Sequence, residues 1–330
     1  MLGRLGRLSL PRRMSSSAPS SVSGIVPVSD RSTLRIRSPQ LQSIATGKYV
    51  LARNGLEVYC VSDPLARESG AAMTIETGSW RDDVDAQGTA HFLEHMLFLG
   101  TQKYPDENEY DRFVKDHGGQ LNAYTASDHT TYMVSVRNDA FEGALDRFAQ
   151  FFHAPLFNPS CVEREQNAVD EEFRKNISDD GWRAVHVLKE LARPEHPHAF
   201  FNTGNLASMK LIDQARLHQW YRKHYVAPAM RLVLYSPRDL HWLQSVAASL
   251  FSPIPSSSSS PAAPTRESLK VNAGECNLYP ASLRASWVHI VPLKNTREIT
   301  LMWEIPAALS SAVHETKPAS LACTGTATNK

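Results

Sequence analysis

His91, Glu94 and His95 stand in the order H-x-x-E-H inside the stretch GTAHFLEHMLFLG, residues 88–100. The run from Phe92 to Leu99 is largely apolar and free of Pro and Gly, and Gly100 follows as a natural helix stop. On a helix, residues four apart lie on one face, one turn apart, so both imidazoles project together. Two imidazoles so placed can share one metal ion, typically Zn²⁺ at roughly 2.0–2.1 Å from each nitrogen. Glu94 comes three residues after His91 and one before His95, at the edge of the same face. A carboxylate there can reach a water on the metal without being a ligand. The alternative is a solvated amphipathic helix that carries these residues by chance. The apolar FL and MLFL segments argue against it, because they bury the helix, and buried His and Glu without partners are costly.

A metal site that keeps one position open for water needs a third protein ligand. The segment CVEREQNAVDEEFRKNISDDGW has helical apolar spacing at Val162, Ala168, Val169 and Phe173. Glu165 and Glu172 are seven apart in it, nearly superposed two turns apart on one face. One could ligate the metal while the other supports the site from behind. Glu163, Glu171 and Arg174 read as ordinary charged surface. Spacing alone leaves the choice between Glu165 and Glu172 open. The order H-x-x-E-H is the inverted form of H-E-x-x-H.

The elements that must carry these helices follow from periodicity. Tyr49–Leu51 and Leu56–Val61 read as strands joined at Asn54-Gly55, a strong hairpin signal. Ala71–Thr77 is a further strand, entering the loop where Gly88 and Thr89 offer a turn and a cap. Glu107–Asp116 reads as a helix closed by Gly118-Gly119, and LNAYTASDHTTYMVSVR as a strand or hairpin. FEGALDRFAQFFHAPLF is an amphipathic helix ended by Pro155. The Glu172 helix comes next, with GWRAVHVLKELAR continuing its pattern. LIDQARLHQWYRKHY (helix) and MRLVLYS (strand) complete the series. This segregated mixture predicts an α+β fold with a largely antiparallel sheet packed by helices. His117 and His129 read as solvated or hydrogen-bonded. Trp182 is a candidate for the flank of a cleft, though packing is the commoner role of such an aromatic.

The chain has 330 residues, a net charge of +1 and a sequence pI near 7.8. That balance gives no electrostatic case for nucleic acid or an anionic membrane. No apolar run approaches the ~18–20 residues of a transmembrane segment. Cys60, Cys161, Cys276 and Cys323 are scattered, with no C-x-x-C pair, which suits a reducing compartment. Residues 1–35 are set apart: MLGRLGRLSLPRRMSSSAPSSVSG is rich in Arg, Leu and Ser, and the first acidic residue is Asp30. This is the composition of a mitochondrial or plastid transit peptide, with the mitochondrion favoured; a disordered tail on a cytoplasmic protein, with Met14 as an alternative start, is the other reading. Residues 36–251 form the folded body, and 252–268, containing SPIPSSSSSPAAPTRES, read as a Ser/Pro-rich linker. In 269–330, WVHIVPLKNTREITLMWEIP has strand character, while SSAVHETKPASLACTGTATNK lacks an apolar period.

The block HFLEHMLFLGTQKYPDENEYDRF…GGQLNAYTASDHTTY…EGALDRFAQFFHAPLFNPSCVEREQNAVDEEFRKN closely resembles the pitrilysin/insulinase family of zinc metallopeptidases, from about Ile36 to about Phe251. The resemblance implies a metalloendopeptidase with one Zn²⁺ per chain, held by His91, His95 and Glu172, with Glu94 as general base. Glu165 matches a second acidic residue of the family's active site. Asn122 and Ala123 match the strand edge that hydrogen-bonds substrate backbone. The implied substrates are peptides in extended conformation. Residues 269–330 resemble the opening of the family's second repeat and stop short of its remainder, so an incomplete repeat with a poorly ordered end is expected. Relatives of the insulinase type enclose substrate between two halves, and the second half adds an arginine and a tyrosine that have no counterpart here. The implied partner is therefore a carboxy-terminal half or a related subunit. Two other readings follow: a zinc-binding fragment inactive alone, and a mitochondrial processing peptidase subunit. LYSPRDL departs from the family, whose members usually carry Gly in place of Ser236 or Pro237.

Overall fold

The computed structural model describes residues 22–28, 38, 41–256, 278–283 and 285–303. Within them one seven-stranded sheet forms the frame. Its strands are β1 (Ile25–Pro27), β2 (Ala45–Leu51), β3 (Glu57–Ser62), β4 (Glu68–Ile75), β5 (Gln120–Thr125), β6 (Thr130–Arg137) and β7 (Met230–Ser236). The spatial order is β1-β2-β3-β7-β4-β6-β5, antiparallel throughout except between β3 and β7. The expectation of a largely antiparallel α+β fold is met.

The β2–β3 turn follows from its residues. Gly55 takes φ +78°, which a side chain disfavours, and the Asn54 carboxamide oxygen accepts from the Leu56 amide at 3.1 Å. Asn54 does more than turn the chain. It is buried, and its Nδ2 donates to the carbonyls of Phe251 and Ile254 at 2.8 and 3.1 Å, tying the hairpin to the end of the last helix.

Alternation then sorts the side chains. Ser69, Ala71, Met73 and Ile75 of β4 and Met230, Leu232, Leu234 and Ser236 of β7 are buried, with more exposed residues between them. Helices α1 (Thr89–Leu97), α3 (Phe141–Gln150) and α7 (Leu240–Phe251) pack against the sheet. Phe92, Leu93, Phe148, Phe152 and Phe251 fill the interface and are almost wholly buried; each contributes about 1.5–3 kcal/mol of hydrophobic stabilisation. Ser236, where relatives were expected to carry Gly, has a local task. Its hydroxyl accepts from Ser69 Oγ at 2.9 Å and from the Arg238 amide at 3.3 Å.

The remaining helices are α2 (Glu109–Asp116), α4 (Pro159–Asn176), α5 (Asp180–Glu190) and α6 (Gln214–His224). α4 starts with Pro159 after an Asn158 cap, whose side chain accepts from the Ser160 amide. Three details differ from the sequence reading. α5 is a separate helix rather than a continuation of α4, because the Asp179 carboxylate accepts from the Gly181 and Trp182 amides and so starts a new one. Ile25–Pro27, inside the 1–35 segment, is a sheet strand: Val26 pairs with Val50. The strand expected in 287–303 does not form among the described residues; Trp287 and Trp303 are exposed, and the Leu293 and Lys294 amides donate to Asp180 instead of to a strand partner. The transit-like residues 1–21, most of the linker, Cys276, Cys323 and everything after 303 lie outside the described residues. Among those described, no helix is long and apolar enough to cross a membrane.

Candidate metal centre

α1 begins at an irregular turn. Gly88 makes the expected turn and is the N-cap residue at φ +96°, but Thr89 supplies no capping side chain. Thr89 lies inside the helix and donates its hydroxyl to the Ala86 carbonyl. The capping group comes from outside: Asp82 accepts from the Gly88 amide through Oδ2 at 2.8 Å and from the Ala90 amide through Oδ1 at 2.9 Å. A carboxylate at a helix amino terminus satisfies two orphan donors and meets the positive end of the dipole. Burial pushes the Asp82 pKa up to about 7, against the pull of the bonds from Ala90 and Gly88. Asp82→Ala is expected to cost about 1–3 kcal/mol for each buried amide left unpaired, read as a lower midpoint in urea unfolding; an unchanged midpoint would refute the cap.

One turn into α1 the three chemical residues appear. His91 and His95 have ring centroids 4.8 Å apart with planes at 85°. α4 crosses beside them and brings Glu172, whose Oε2 lies 3.6 Å from His91 Nε2 and 3.5 Å from His95 Nε2. These three are the cluster of possible metal-ligating side chains among the described residues. A tetrahedral ion at about 2.0–2.1 Å from each ligand would set ligand atoms about 3.3–3.4 Å apart. The donor set and its spacing therefore fit a zinc ion.

The electrostatics favour a cation as well. Glu172 and Glu165 are both held below the usual carboxylate range, chiefly by the neighbouring His95 imidazole. Burial lowers the His95 pKa, but the carboxylates of Glu165 and Glu172 outweigh it and bring it up to about 9. Three carboxylates converge on two imidazoles.

The outer contacts distinguish the acids. Glu165 Oε2 faces His95 Nδ1 at 3.7 Å, the ring nitrogen that does not face Glu172, and Glu165 is itself gripped by Arg164 at 3.3 Å. Arg164 is shared with Glu107 at 2.7 Å. Glu94 is only 8% exposed and lies outside the cluster. Its Oε2 accepts from the Thr125 hydroxyl, and burial raises its pKa.

β5 is an outer strand of the sheet, next to α1. Asn122 and Ala123 lie on it, and the Ala123 amide bonds to Asn122 Oδ1 at 2.9 Å rather than across the ladder, so its donor faces the open edge. Trp182 is on the first turn of α5, 45% exposed, and stands outside the His91–His95–Glu172 cluster. His117 bonds to the Phe113 carbonyl and His129 to Asp128, in the hydrogen-bonded roles expected of them. Sequence reasoning missed three contributors: Asp82, Thr125, and Thr203, whose carbonyl meets His91 Nδ1 at 2.7 Å. Thr125 ends the LNAYT strand, and that register was its one signal. The Thr203 contact is made by backbone and has no residue signature.

Residues 57–195 match the family model described as insulinase, peptidase family M16. Human insulin-degrading enzyme is 41% identical over 208 residues, 61% of this chain and 20% of that protein. A protein of Arabidopsis thaliana named insulin-degrading enzyme-like 1, peroxisomal, is 40% identical over 63% of this chain and 22% of its own length. The crystal structure of pitrilysin superposes with a TM-score of 0.67 at 34% identity, covering 73% of this chain and 25% of that one. The chain thus spans about a fifth of the length of these curated relatives. Residues 57–195 thus carry an insulinase-type (peptidase family M16) domain.

Proposed function

We propose that this chain is a zinc-dependent metalloendopeptidase unit of the insulinase type, hydrolysing peptide bonds in extended peptides. The observation that carries the reading is one Glu172 oxygen placed 3.5–3.6 Å from Nε2 of both His95 and His91, with a buried Glu94, outside that cluster, between them in sequence. His91, His95 and Glu172 would hold the ion. Zinc in such a site supplies a Lewis acid for the scissile carbonyl and lowers the pKa of water towards ~7.

The chain's own groups do the rest. Glu94, oriented by the Thr125 hydroxyl, takes the proton of the attacking water and delivers it to the leaving amine. Its desolvated carboxylate is a stronger base than a solvated one, because burial raises its pKa. The free edge of β5 at Asn122 and Ala123 can add a substrate strand, which fixes an extended backbone beside α1. Glu165 holds the ring of His95 through Nδ1. Trp182 offers an apolar contact for substrate side chains, on the strength of its exposure alone.

The test is zinc content together with cleavage of an internally quenched peptide by the purified chain. One zinc per chain with turnover supports the proposal. Zinc without turnover, restored by a carboxy-terminal half added in trans, would assign the chain a partner-dependent role. Absence of zinc binding would overturn the reading.

A further inference from the structure

The segment between His198 and Gly204 meets the start of α1 at three points. The Phe201 amide donates to Gln87 Oε1 at 2.7 Å. The Thr203 carbonyl lies 2.7 Å from His91 Nδ1. Gly204, at φ +87°, lies against Gly88: a Cβ on Gly88 would fall 2.5 Å from the Gly204 Cα, so the two backbones touch.

A carbonyl can only accept, so its contact with Nδ1 requires the proton to be there. Nε2 then keeps its lone pair, and it is Nε2 that faces Glu172. The loop backbone thus chooses the His91 tautomer and sets its ring angle. Loops position a group to this accuracy only when something anchors them.

The anchor is Lys189 of α5. It is 6% exposed, and its Nζ donates to the carbonyls of His198 at 3.1 Å and Phe200 at 3.3 Å. Those partners are carbonyls, not carboxylates. Burying an ammonium without a counter-ion is costly, and burial accordingly pulls its pKa down. For loop closure alone, a neutral donor would do the same at lower cost. The charge-assisted bonds are the stronger kind, and they fall three and five residues before Thr203.

We propose that Lys189 is a positioning residue for the metal centre: its buried ammonium fixes the His198–Phe200 backbone, and through it the Thr203 carbonyl that presents His91 with Nε2 free. The proposal rests on the reading of His91 as a ligand.

Lys189→Met and Lys189→Arg in the full chain test it, with Gln87→Ala as a variant that loosens the same loop without altering a buried charge. Zinc affinity, measured by competition with a chelator, is expected to fall about 10–100-fold in Lys189→Met, the range for loss of an outer partner. Lys189→Arg, which keeps charge and donors, should recover most of it. Gln87→Ala should fall in the same direction and keeps the question answerable if Lys189→Met does not fold. Nitrogen-resolved imidazole NMR of the zinc-free protein gives a second readout. Wild type should show His91 protonated at Nδ1, and Lys189→Met a mixture of tautomers. A purely structural lysine would lower the melting temperature and leave both readouts of the folded protein unchanged; that result would overturn the proposal. Failure of the wild type to bind zinc would remove the ligand reading, and the tautomer comparison would still decide whether Lys189 governs His91.

Discussion

Glu94→Gln is expected to lower peptide turnover about 10²–10⁴-fold, the usual contribution of a general base, with zinc content unchanged. The geometry separates the two effects. Glu94 is buried and its carboxylate does not belong to the His91–His95–Glu172 cluster, so removing its charge leaves the ligand set intact. Glutamine is nearly isosteric and its carbonyl oxygen can still accept from Thr125, so the side chain should keep its place. What it lacks is basicity. Burial raises the pKa of Glu94 against the pull of the Thr125 bond and the two imidazoles. Quenched-peptide kinetics and metal analysis on the same sample decide the matter. Wild-type turnover in Glu94→Gln would eliminate it as base; loss of zinc would make it a ligand.

Much of this fold is legible in the sequence because its elements carry strong local signals. Asn54-Gly55, the alternation in β4 and β6, and the glycines after α1 and α2 are each a local stereochemical demand. What local patterns cannot express is partnership at a distance. β7 inserts between β3 and β4 although it follows them by more than 150 residues, so the one parallel pair of the sheet has no signature in any window. Ile25–Pro27 is a three-residue strand that exists only because β2 offers an edge. The opposite error arises at 287–303, where β-rich composition suggests a strand and the Leu293 and Lys294 amides bond to Asp180.

The site divides in the same way. The histidine spacing is a property of one helix, and four residues of separation suffice to put both rings on one face. Glu172 sits on another helix, and spacing leaves it equal to Glu165; only the crossing of α1 and α4 separates them. Asp82 and Thr125 act across loops and strands. Thr203 acts through a carbonyl that every residue type possesses.

That separation yields the second large effect. Glu172→Gln and Glu165→Gln change the same atom in the same helix, yet their zinc affinities are expected to differ strongly. Glu172 Oε2 faces Nε2 of both imidazoles, so the substitution replaces an anionic ligand with a weak neutral one. Glu165 reaches only His95 Nδ1 and supports that ring from outside. Loss of such an outer partner costs about 10–100-fold in metal affinity, and Glu172→Gln should exceed that range. Proton linkage sharpens the comparison. With the His95 pKa at about 9, zinc must displace a proton at neutral pH, so wild-type affinity should rise with pH until about 9 and level off. Each of the two carboxylates helps to raise that pKa, so either substitution should shift the levelling point to lower pH. Only Glu172→Gln should also depress the plateau by more than the outer-partner range. Chelator competition between pH 6 and 10 would measure both quantities, about three pH units on the lower side of the expected break. A deeper plateau loss in Glu165→Gln would reverse the assignment and make Glu165 the ligand.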